Sequence, residues 1–368
     1  MENNDKRFIL ALHRAVGIGD INAIKLISHC GSAEAVFWEK KSALKKIHGI
    51  GTTILKELNN ATLFEAAENE LLFIEKNGIE LQTVFDPEYP EKLKHCADGP
   101  LLVFQKGKIN FRARKILSIV GTRMMTNYGK SFLESFIAEI KKHHPVIVSG
   151  LAFGVDIFAH QTAMQQGLQT VGVLAHGLDG VYPKVHRHFA DQMQENGGII
   201  SDFWSGSRPD RENFVKRNRI VAGISEATIV IESASKGGSL ITADIANSYN
   251  RDVFAVPGRT TDLFSTGCNN LIKQNKAVLL TGVKDLEYML NWTVEKEVKN
   301  KAIQKQLFVD LDDQEKVICD CLQNKGKQLL DNLALHCSFP IHKTAGLLLQ
   351  LELKGLVRPL PGKMFEII

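Results

Sequence analysis

The sequence predicts an α/β protein with a mostly parallel sheet, and three observations lead to this fold class. Short apolar runs rich in branched residues recur between residues 79 and 258 and alternate with segments of helical periodicity. Most of these runs are apolar throughout, as is typical of strands buried on both faces. Several end in glycine-containing loops, the usual transition from a strand to the following helix. Together these features predict strands joined by right-handed helical crossovers.

The first eighty residues are predicted to be helical. Two similar phrases, residues 12–19 and 44–51, each end in a Gly-apolar-Gly turn followed by a further apolar segment. This pattern resembles the helix-hairpin-helix module, whose backbone N–H groups grip nucleic-acid phosphates. A small helical bundle that uses the same turns only for packing explains the pattern equally well. An amphipathic helix is predicted over residues 61–77.

The central segment is predicted to alternate strands with helices. The predicted strands are residues 79–84, 101–104, 116–120, 145–148, 170–174, 198–201, 227–232 and 253–256. The predicted helices between them are residues 128–141, 157–166, one that ends near 196, one that starts near 213, and 240–249.

Composition places the chain among ordinary globular proteins. A length of 368 residues suits two or three domains, and 44% hydrophobic with 23% charged residues is typical of soluble proteins. A net charge of +4 is too small to establish a polyanionic partner, so the distribution of charge matters more. The six cysteines form no Cys-x-x-Cys pair and no signal-peptide pattern precedes them, so we expect reduced thiols. No run approaches the roughly 18 apolar residues of a membrane helix. We therefore expect a cytoplasmic protein without membrane contact.

Three loops at predicted strand ends carry groups that bind anions. They are Gly121-Thr122-Arg123, then Ser149-Gly150 with Gly154, and finally Lys236-Gly237-Gly238-Ser239. The carboxyl ends of parallel strands meet at one edge of a sheet, so we expect these loops to converge. Glycines allow close backbone approach, helix starts present N–H groups, and an Arg fork matches phosphate oxygens. Three such loops on successive strand–helix units predict a phosphate-binding crevice rather than turn glycines alone.

Residues 207–219 form a basic segment around one aromatic residue. Five basic residues accompany two acidic ones here, and a helix that starts near residue 213 places Phe214, Arg217 and Asn218 on one face. Interleaved cations and an aromatic ring suit a single-stranded nucleic acid, with bases stacked on the ring. A solvated basic helix with Phe214 in the core is the alternative. The proximity of the predicted anion loops favours nucleic-acid binding.

No catalytic or metal-binding constellation emerges from the sequence. The pair His186 and His188 has neither a thiol nor an acidic cluster beside it. Asp156, Asp179 and the other carboxylates of this region are scattered, and we expect them to cap helices or orient loops. The sequence therefore predicts no metal, no cofactor, no catalytic residue and no enzymatic activity.

The motifs in order resemble the DNA-processing protein A (DprA/Smf) family. They comprise residues 120–123, 149–156, 177–183, 211–225, 236–243, 256–258 and 267–272. The resemblance covers most of residues 80–280 and implies an extended Rossmann-like domain that binds single-stranded DNA and forms a homodimer. It further implies that the protein protects incoming single strands and loads RecA recombinase in natural transformation.

The resemblance also implies roles for individual residues. The implied strand contacts are Arg123, Arg211, Phe214 and Lys236, with Arg217 and Asn218 on the same helix face. The implied lining of the phosphate pocket is Gly121, Thr122, Gly150, Gly238 and Ser239.

The chain departs from the family pattern at three positions. Thr122 stands where the family usually has Ser, which preserves the hydroxyl group. Gly237 replaces a common Ser, and Val215 replaces a common Pro next to Phe214. The last change affects the entry to the helix and hence the orientation of the Phe214 ring.

The tail is predicted to be a charged linker followed by a winged helix. One predicted helix runs through residue 321, and two more span residues 329–336 and 341–353. Residues 355–367 are predicted to form a two-stranded wing. The recognition helix carries only His342 and Lys343 near its start, so we expect an interaction or auxiliary duplex-contact module. The predicted division of the chain is residues 1–78 (helix-hairpin-helix-like), 79–290 (Rossmann-like), 291–310 (linker) and 311–368 (winged helix).

Two enzyme classes with related sheets provide the alternatives. A nucleotide-monophosphate phosphoribohydrolase needs a Pro-Gly-Gly-x-Gly-Thr-x-x-Glu phrase. Here Gly237 and Gly238 are followed by Ser-Leu-Ile-Thr-Ala-Asp, which lacks that Glu. A dinucleotide oxidoreductase needs a Gly-x-Gly-x-x-Gly motif after the first strand, which is absent. The phosphoribohydrolase stays the alternative to a DNA-binding mediator.

Overall fold

The computed structural model describes residues 3–112, 115–293, 311–360 and 362–367, which form two compact units. The first unit contains the described residues up to 293, and the second contains those from 311 onward. The predicted segments 1–78 and 79–290 thus lie in one compact unit. Of the predicted linker, residues 294–310 lie outside the described residues.

Six helices precede the sheet. They are α1 (Asn3–Arg14), α2 (Gly19–Cys30), α3 (Ala33–Trp38), α4 (Lys41–Leu44), α5 (Thr52–Glu57) and α6 (Thr62–Lys76). The turns predicted from the two similar phrases contain Gly17 and Gly49, whose φ angles of 83° and 90° favour glycine. Ile18 and Ile50 of the same turns are buried in the core. The turns therefore contribute to packing, and a contact between them and nucleic acid stays a prediction.

A nine-stranded sheet forms the centre of the first unit. Its strands are β1 (Glu80–Thr83), β2 (Leu102–Gly107), β3 (Ile116–Val120), β4 (Val146–Ser149), β5 (Thr170–Val173), β6 (Gly197–Ser201), β7 (Ala227–Val230), β8 (Asp252–Ala255) and β9 (Val278–Leu279). The spatial order is β1-β2-β6-β5-β4-β3-β7-β8-β9, parallel from β6 to β9 and antiparallel at β1 and β2. The predicted mostly parallel sheet is confirmed, and the short edge strand β9 adds to the predicted set.

The strand order reverses beside β3. The chain proceeds from β3 through β4 and β5 to β6 on one side, then returns to β7 on the other side of β3. Such a reversal opens a crevice outside the carboxyl ends of the two strands that flank it, which is where open α/β sheets bind ligands. The loops that follow β3 and β7 therefore flank the expected binding position.

Helices cover both faces of the sheet. They are α7 (Glu91–Lys94), α8 (Asn127–Ile140), α9 (Val155–Gln165), α10 (Arg187–Met193), α11 (Arg211–Ile224), α12 (Gly238–Ser248), α13 (Thr266–Lys273) and α14 (Val283–Met289). Leu117 and Ile119 of β3 share one core with α8 and α9. Ile116 and Val120 share the other core with α11, α12 and the N-terminal helices. The alternation along β3 thus sends successive side chains into two separate hydrophobic layers.

A buried ionic cluster joins the N-terminal helices to the sheet. Nη2 of Arg219 lies 2.6 Å from Oδ2 of Asp202 and 3.0 Å from Oδ2 of Asp20, a residue of α2. Burial alone would raise the pKa of Asp20, but the hydrogen bond and charge of His13 and the charge of Arg219 hold it below its usual range. Arg219, one of the five cations of the basic segment, is therefore committed to the fold.

The second unit confirms the predicted winged helix. It contains α15 (Asp313–Lys325), α16 (Leu330–His336) and α17 (Ile341–Leu353), with strands β10 (Gln328–Leu329), β11 (Val357–Leu360) and β12 (Met364–Ile367). The wing is the antiparallel pair β11 and β12, and β10 adds a third strand that the sequence pattern does not reveal. Leu347, Leu348 and Leu351 of α17 face the core of this unit.

Three further properties concern the described part of the chain. None of its helices is long and apolar enough to cross a bilayer. The six cysteines carry free thiols. Within the same residues, no group of three or more His, Cys, Asp or Glu side chains is arranged to hold a metal ion.

Candidate functional site

Hydrogen bonds join the loop after β3 to the end of β7 and to the start of α9 at the carboxyl edge of the sheet. Thr122, after β3, donates its N–H to the Glu232 carbonyl oxygen after β7 at 2.8 Å. The Thr122 carbonyl oxygen in turn accepts from the N–H of Val155, the first residue of α9, at 3.1 Å. A Cβ atom on Gly121 would lie 2.5 Å from Cγ2 of Val155, so glycine is required for this approach. The loops converge as expected, but the Thr122 N–H is used within the protein.

A buried carboxylate secures the start of the helix that follows β3. Glu232 accepts hydrogen bonds from the backbone N–H and the hydroxyl group of Thr126, which caps α8. A Cβ atom on Gly129 would lie 2.5 Å from Oε2 of Glu232, so the first turn of α8 packs directly on this carboxylate. Sequence reasoning gave Glu232 no role; its only signal is a single acidic residue at the end of an apolar strand.

The loop after β4 is occupied by two buried side chains of opposite charge, Arg217 and Asp156. Nη1 of Arg217 donates to the Gly150 carbonyl oxygen at 2.8 Å and also to the Val173 carbonyl oxygen. Oδ2 of Asp156 accepts from the Ala152 N–H at 3.3 Å and would lie 2.6 Å from a Cβ atom on Gly150. Burial raises the pKa of Asp156, and the positive charge of Arg217 opposes that rise. The Asp156 carboxylate thus lies against Gly150, a residue predicted to line the phosphate pocket.

Three predicted site residues lie beneath the surface rather than on it. Arg217 is 5% exposed, and Gly150 is buried against its guanidinium group. The physical reason is that Arg217 points from α11 toward the carboxyl ends of β4 and β5, where carbonyl oxygens lack strand partners. Ser239 is also buried, and its hydroxyl group donates to Oγ of Ser233 at 3.0 Å.

Three other predicted cations remain on the surface. Arg123, Arg211 and Lys236 are exposed. Across the described ranges, none of the three forms a salt bridge, whereas Arg219 forms salt bridges with Asp20 and Asp202. Unpaired exposed cations at one sheet edge are what a phosphate backbone requires.

Phe214 lies next to one of these cations, Arg123. Its ring is half-buried, and Cζ of Arg123 lies 5.8 Å from the ring centroid. Cζ of Arg217 lies 6.0 Å from the same centroid. Asn218, four residues further along α11, is half-buried. The helix that carries this group begins at Arg211, and Asp210 caps it by accepting from the Asn213 N–H at 2.8 Å.

The N-terminus of α12 is the second electropositive feature. Its N-cap residue is Gly237, which offers no side-chain acceptor, in contrast to Thr126 on α8 and Asp210 on α11. A Cβ atom on exposed Gly238 would meet nothing within 4 Å, so the first turn faces open space. Helix N-termini attract anions through unpaired N–H groups and the helix dipole. Lys236, next to this turn, adds a full positive charge.

A family model described as DNA recombination-mediator protein A matches residues 80–291. The chain belongs to this family, which is also called DprA/Smf. A second model, described as the DprA winged helix domain, matches residues 306–363. Both matches agree with the motifs quoted above and with the two compact units.

Relatives and solved structures agree with this assignment. Protein Smf of Synechocystis sp. is 30% identical over 402 residues, with 100% of both chains covered. The X-ray structure of DNA processing protein A from Streptococcus pneumoniae superimposes with a TM-score of 0.64 at 30% identity, covering 77% of this chain and 97% of that one. DNA processing protein A from Helicobacter pylori, whose structure concerns its single-stranded DNA binding mode, gives a TM-score of 0.52 at 27% identity, covering 58% and 96%.

Proposed function

We propose that this chain binds single-stranded DNA along the carboxyl edge of its sheet and acts as a recombination mediator. The observation that carries the proposal is the exposed, unpaired Arg123 over the Phe214 ring, at the same sheet edge as the uncapped N-terminus of α12. The family assignment and the single-stranded DNA binding mode described for the Helicobacter pylori relative support the same conclusion. In this proposal the protein protects incoming single strands and loads RecA recombinase on them in natural transformation.

The site residues divide into a contact layer and a positioning layer. The contact layer binds phosphates through Arg123, Arg211 and Lys236 and through the first turn of α12 at Gly238. It binds a base by stacking on Phe214. Gly121, Thr122 and Asn218 line the same edge. The positioning layer consists of Gly150, Arg217 and Ser239, which are buried beneath it.

The macromolecular partners extend the proposal. We propose a homodimer formed through the Rossmann-like domain and a contact with RecA in the cytoplasm. Light scattering of the purified chain tests the dimer. RecA-dependent ATP hydrolysis on strands coated with single-strand binding protein tests loading, and an unchanged rate on adding this chain would contradict it.

The proposal assigns binding rather than catalysis to the sheet edge. The first acidic residue after the glycine pair of α12 is Asp244, and its carboxylate lies 2.9 Å from Nζ of Lys276. The side chain at this place is thus an Asp paired with Lys276, whereas the phosphoribohydrolase phrase has a Glu. Incubation with AMP followed by chromatography decides this point, because release of free adenine would favour the enzyme.

Titration with fluorescent oligo-dT tests the binding function. We expect Arg123→Ala and Lys236→Ala each to weaken binding and to lower the slope of log affinity against log salt by about 0.7, the value for one phosphate contact on a single strand. Lys141→Ala is the matched control, because Lys141 is exposed and precedes β4 at the opposite sheet edge. If the chain does not bind oligo-dT, or if added salt does not weaken that binding, the proposal is contradicted.

A further inference from the structure

Two aromatic rings are neighbours at the carboxyl edge, and only one belongs to the basic segment. The ring centroid of Tyr182, in the loop after β5, lies 5.9 Å from that of Phe214, and the ring planes are inclined by 55°. Tyr182 is 49% exposed. Arg123 lies on the same Phe214 ring. An exposed ring, a half-buried ring and an exposed cation therefore form one continuous surface.

A buried histidine holds the backbone of Tyr182. Nδ1 of His176 lies 2.8 Å from the Gly177 carbonyl oxygen, and Nε2 accepts from the Tyr182 N–H at 3.2 Å. A neutral imidazole with its proton on Nδ1 satisfies both contacts at once. Burial lowers the pKa of His176, which favours this neutral form. The Tyr182 ring is thus presented from a fixed backbone.

Hydrogen bonds also connect the loop of Tyr182 to the segment that leads to Phe214. Gly177 donates its N–H to the Ser207 carbonyl oxygen at 3.3 Å, and Gly206 donates to Oδ1 of Asp179 at 3.0 Å. A Cβ atom on Gly177 would lie 2.3 Å from the Trp204 carbonyl oxygen, so the two segments are in direct contact. The fold therefore sets the distance between the two rings.

Three of the other four tyrosines of the chain have identifiable structural tasks. The hydroxyl groups of Tyr89 and Tyr128 donate to the carbonyl oxygens of Pro100 at 2.6 Å and Pro257 at 2.7 Å. Tyr249 bonds to Asp98. Within the described ranges, the Tyr182 hydroxyl group has no such partner, and half of the residue is open to solvent. Packing therefore does not account for the position of the Tyr182 ring.

We propose that Tyr182 and Phe214 together form a stacking platform that holds neighbouring bases of a bound single strand. The inference rests on the proposed function and adds a base-binding element to its phosphate contacts. Base–aromatic stacking contributes to affinity without sequence preference, because every base has a π face. Stacking on protein rings requires unpaired bases, so the platform favours single strands over duplex DNA.

The test separates base stacking from phosphate binding. Fluorescence anisotropy compares the full chain and its variants on oligo-dT and on an oligonucleotide of equal length whose sugars are all abasic. We expect Tyr182→Leu to weaken oligo-dT binding roughly tenfold, in the range found for one stacked base, and to leave the abasic affinity unchanged. Tyr182→Phe and Tyr182→Trp keep an aromatic ring and should bind oligo-dT as the unmodified chain does.

A matched control removes a different exposed tyrosine. Tyr288 is 86% exposed on α14, next to Glu287, whose carboxylate contacts Lys142 and His143 before β4 at the opposite sheet edge. Tyr288→Leu should therefore bind both oligonucleotides normally. Unchanged oligo-dT binding by Tyr182→Leu, or an equal loss on both oligonucleotides, would overturn the platform while leaving the proposed function intact. If the unmodified chain binds neither oligonucleotide, both proposals fail.

Discussion

The Arg217 guanidinium lies 2.8 Å from the Gly150 carbonyl oxygen, and the Asp156 carboxylate approaches the same glycine, so two buried opposite charges support the loop after β4. A buried charge without its partner is costly, whereas a paired one is tolerated. The pair lies directly under Phe214, whose ring centroid is 6.0 Å from Cζ of Arg217. The stability of the fold and the geometry of the proposed DNA surface therefore depend on the same guanidinium group.

Removal of one member of this pair should destabilise the protein strongly. We expect Arg217→Met or Asp156→Leu alone to lower the free energy of unfolding by about 3–5 kcal/mol, because each leaves a buried charge uncompensated. The double variant should lose less than the sum of the two, and urea unfolding measures all three. Lys216→Ala on the exposed face of α11 is the control and should stay within about 0.5 kcal/mol. Additive losses in the double variant would contradict the pairing.

A methyl group at position 150 should disturb the same guanidinium. A Cβ atom there would lie 2.4 Å from Nη1 of Arg217, and overpacking of this kind typically costs about 1–3 kcal/mol. We expect Gly150→Ala to lower the urea midpoint and to weaken oligo-dT binding. Gly238→Ala provides the comparison, since its Cβ atom meets nothing within 4 Å and its stability should be unchanged. Equal stability of the two variants would argue against the tight contact.

Two arginines of one helix should differ in function. Arg219 is 16% exposed and bound to Asp20 and Asp202, whereas Arg211 is exposed and unpaired in the described structure. We expect Arg219→Ala to lower the free energy of unfolding by about 3–5 kcal/mol and to leave the salt slope of oligo-dT binding unchanged. Arg211→Ala should lower that slope by about 0.7 with little effect on stability. If Arg219→Ala lowered the salt slope and Arg211→Ala lowered the free energy of unfolding, the assignment of Arg219 to the ionic cluster would be wrong.

Stability should fall in acid because of a buried histidine. Nδ1 of His160 lies 2.7 Å from Oγ1 of Thr170, which itself donates to the Ile147 carbonyl oxygen at 2.9 Å, so Nδ1 of His160 carries the proton of this hydrogen bond. Burial and the positive charges of Arg217 and His186 lower the pKa of His160 from 6.5 to about 3. Because the folded-state pKa is lowered, its stabilising contribution is complete above pH 6.5 and is lost progressively as pH falls toward about 3.

The variant His160→Asn isolates this effect. The Asn side chain keeps a donor for Thr170 but has no proton to gain. Urea unfolding at several pH values measures how the free energy of unfolding falls between pH 6.5 and pH 4. This fall should be shallower in the variant than in the unmodified chain, and the difference in slope should correspond to close to one proton bound on unfolding. Parallel pH profiles for the two proteins would show that His160 does not titrate in this window.

The sheet and the convergence of its loops follow from local patterns. Apolar branched runs such as residues 116–120 specify strands, and the glycines after them mark the strand–helix turns, which is why β3, β4 and β7 were predicted with small errors at their ends. The two-residue strands β9 and β10 are too short to leave a pattern. Patterns within a few residues report on local structure only.

Long-range pairing is what the sequence does not reveal. The local sequence pattern does not distinguish Arg211, Arg217 and Arg219. These three side chains differ only in the partners that the fold supplies. Asp156 is 61 positions from Arg217 along the chain, and the two charges approach each other only when the fold brings α9 and α11 to the same edge of the sheet. The same holds for Tyr182, whose importance depends on its distance from Phe214.

A crystal structure of the full chain with oligo-dT tests the central claim most directly. The account predicts phosphate groups beside Lys236 at the first turn of α12 and beside Arg123, with bases against Phe214 and Tyr182. A strand bound elsewhere, with these four residues free of nucleic acid, would contradict it.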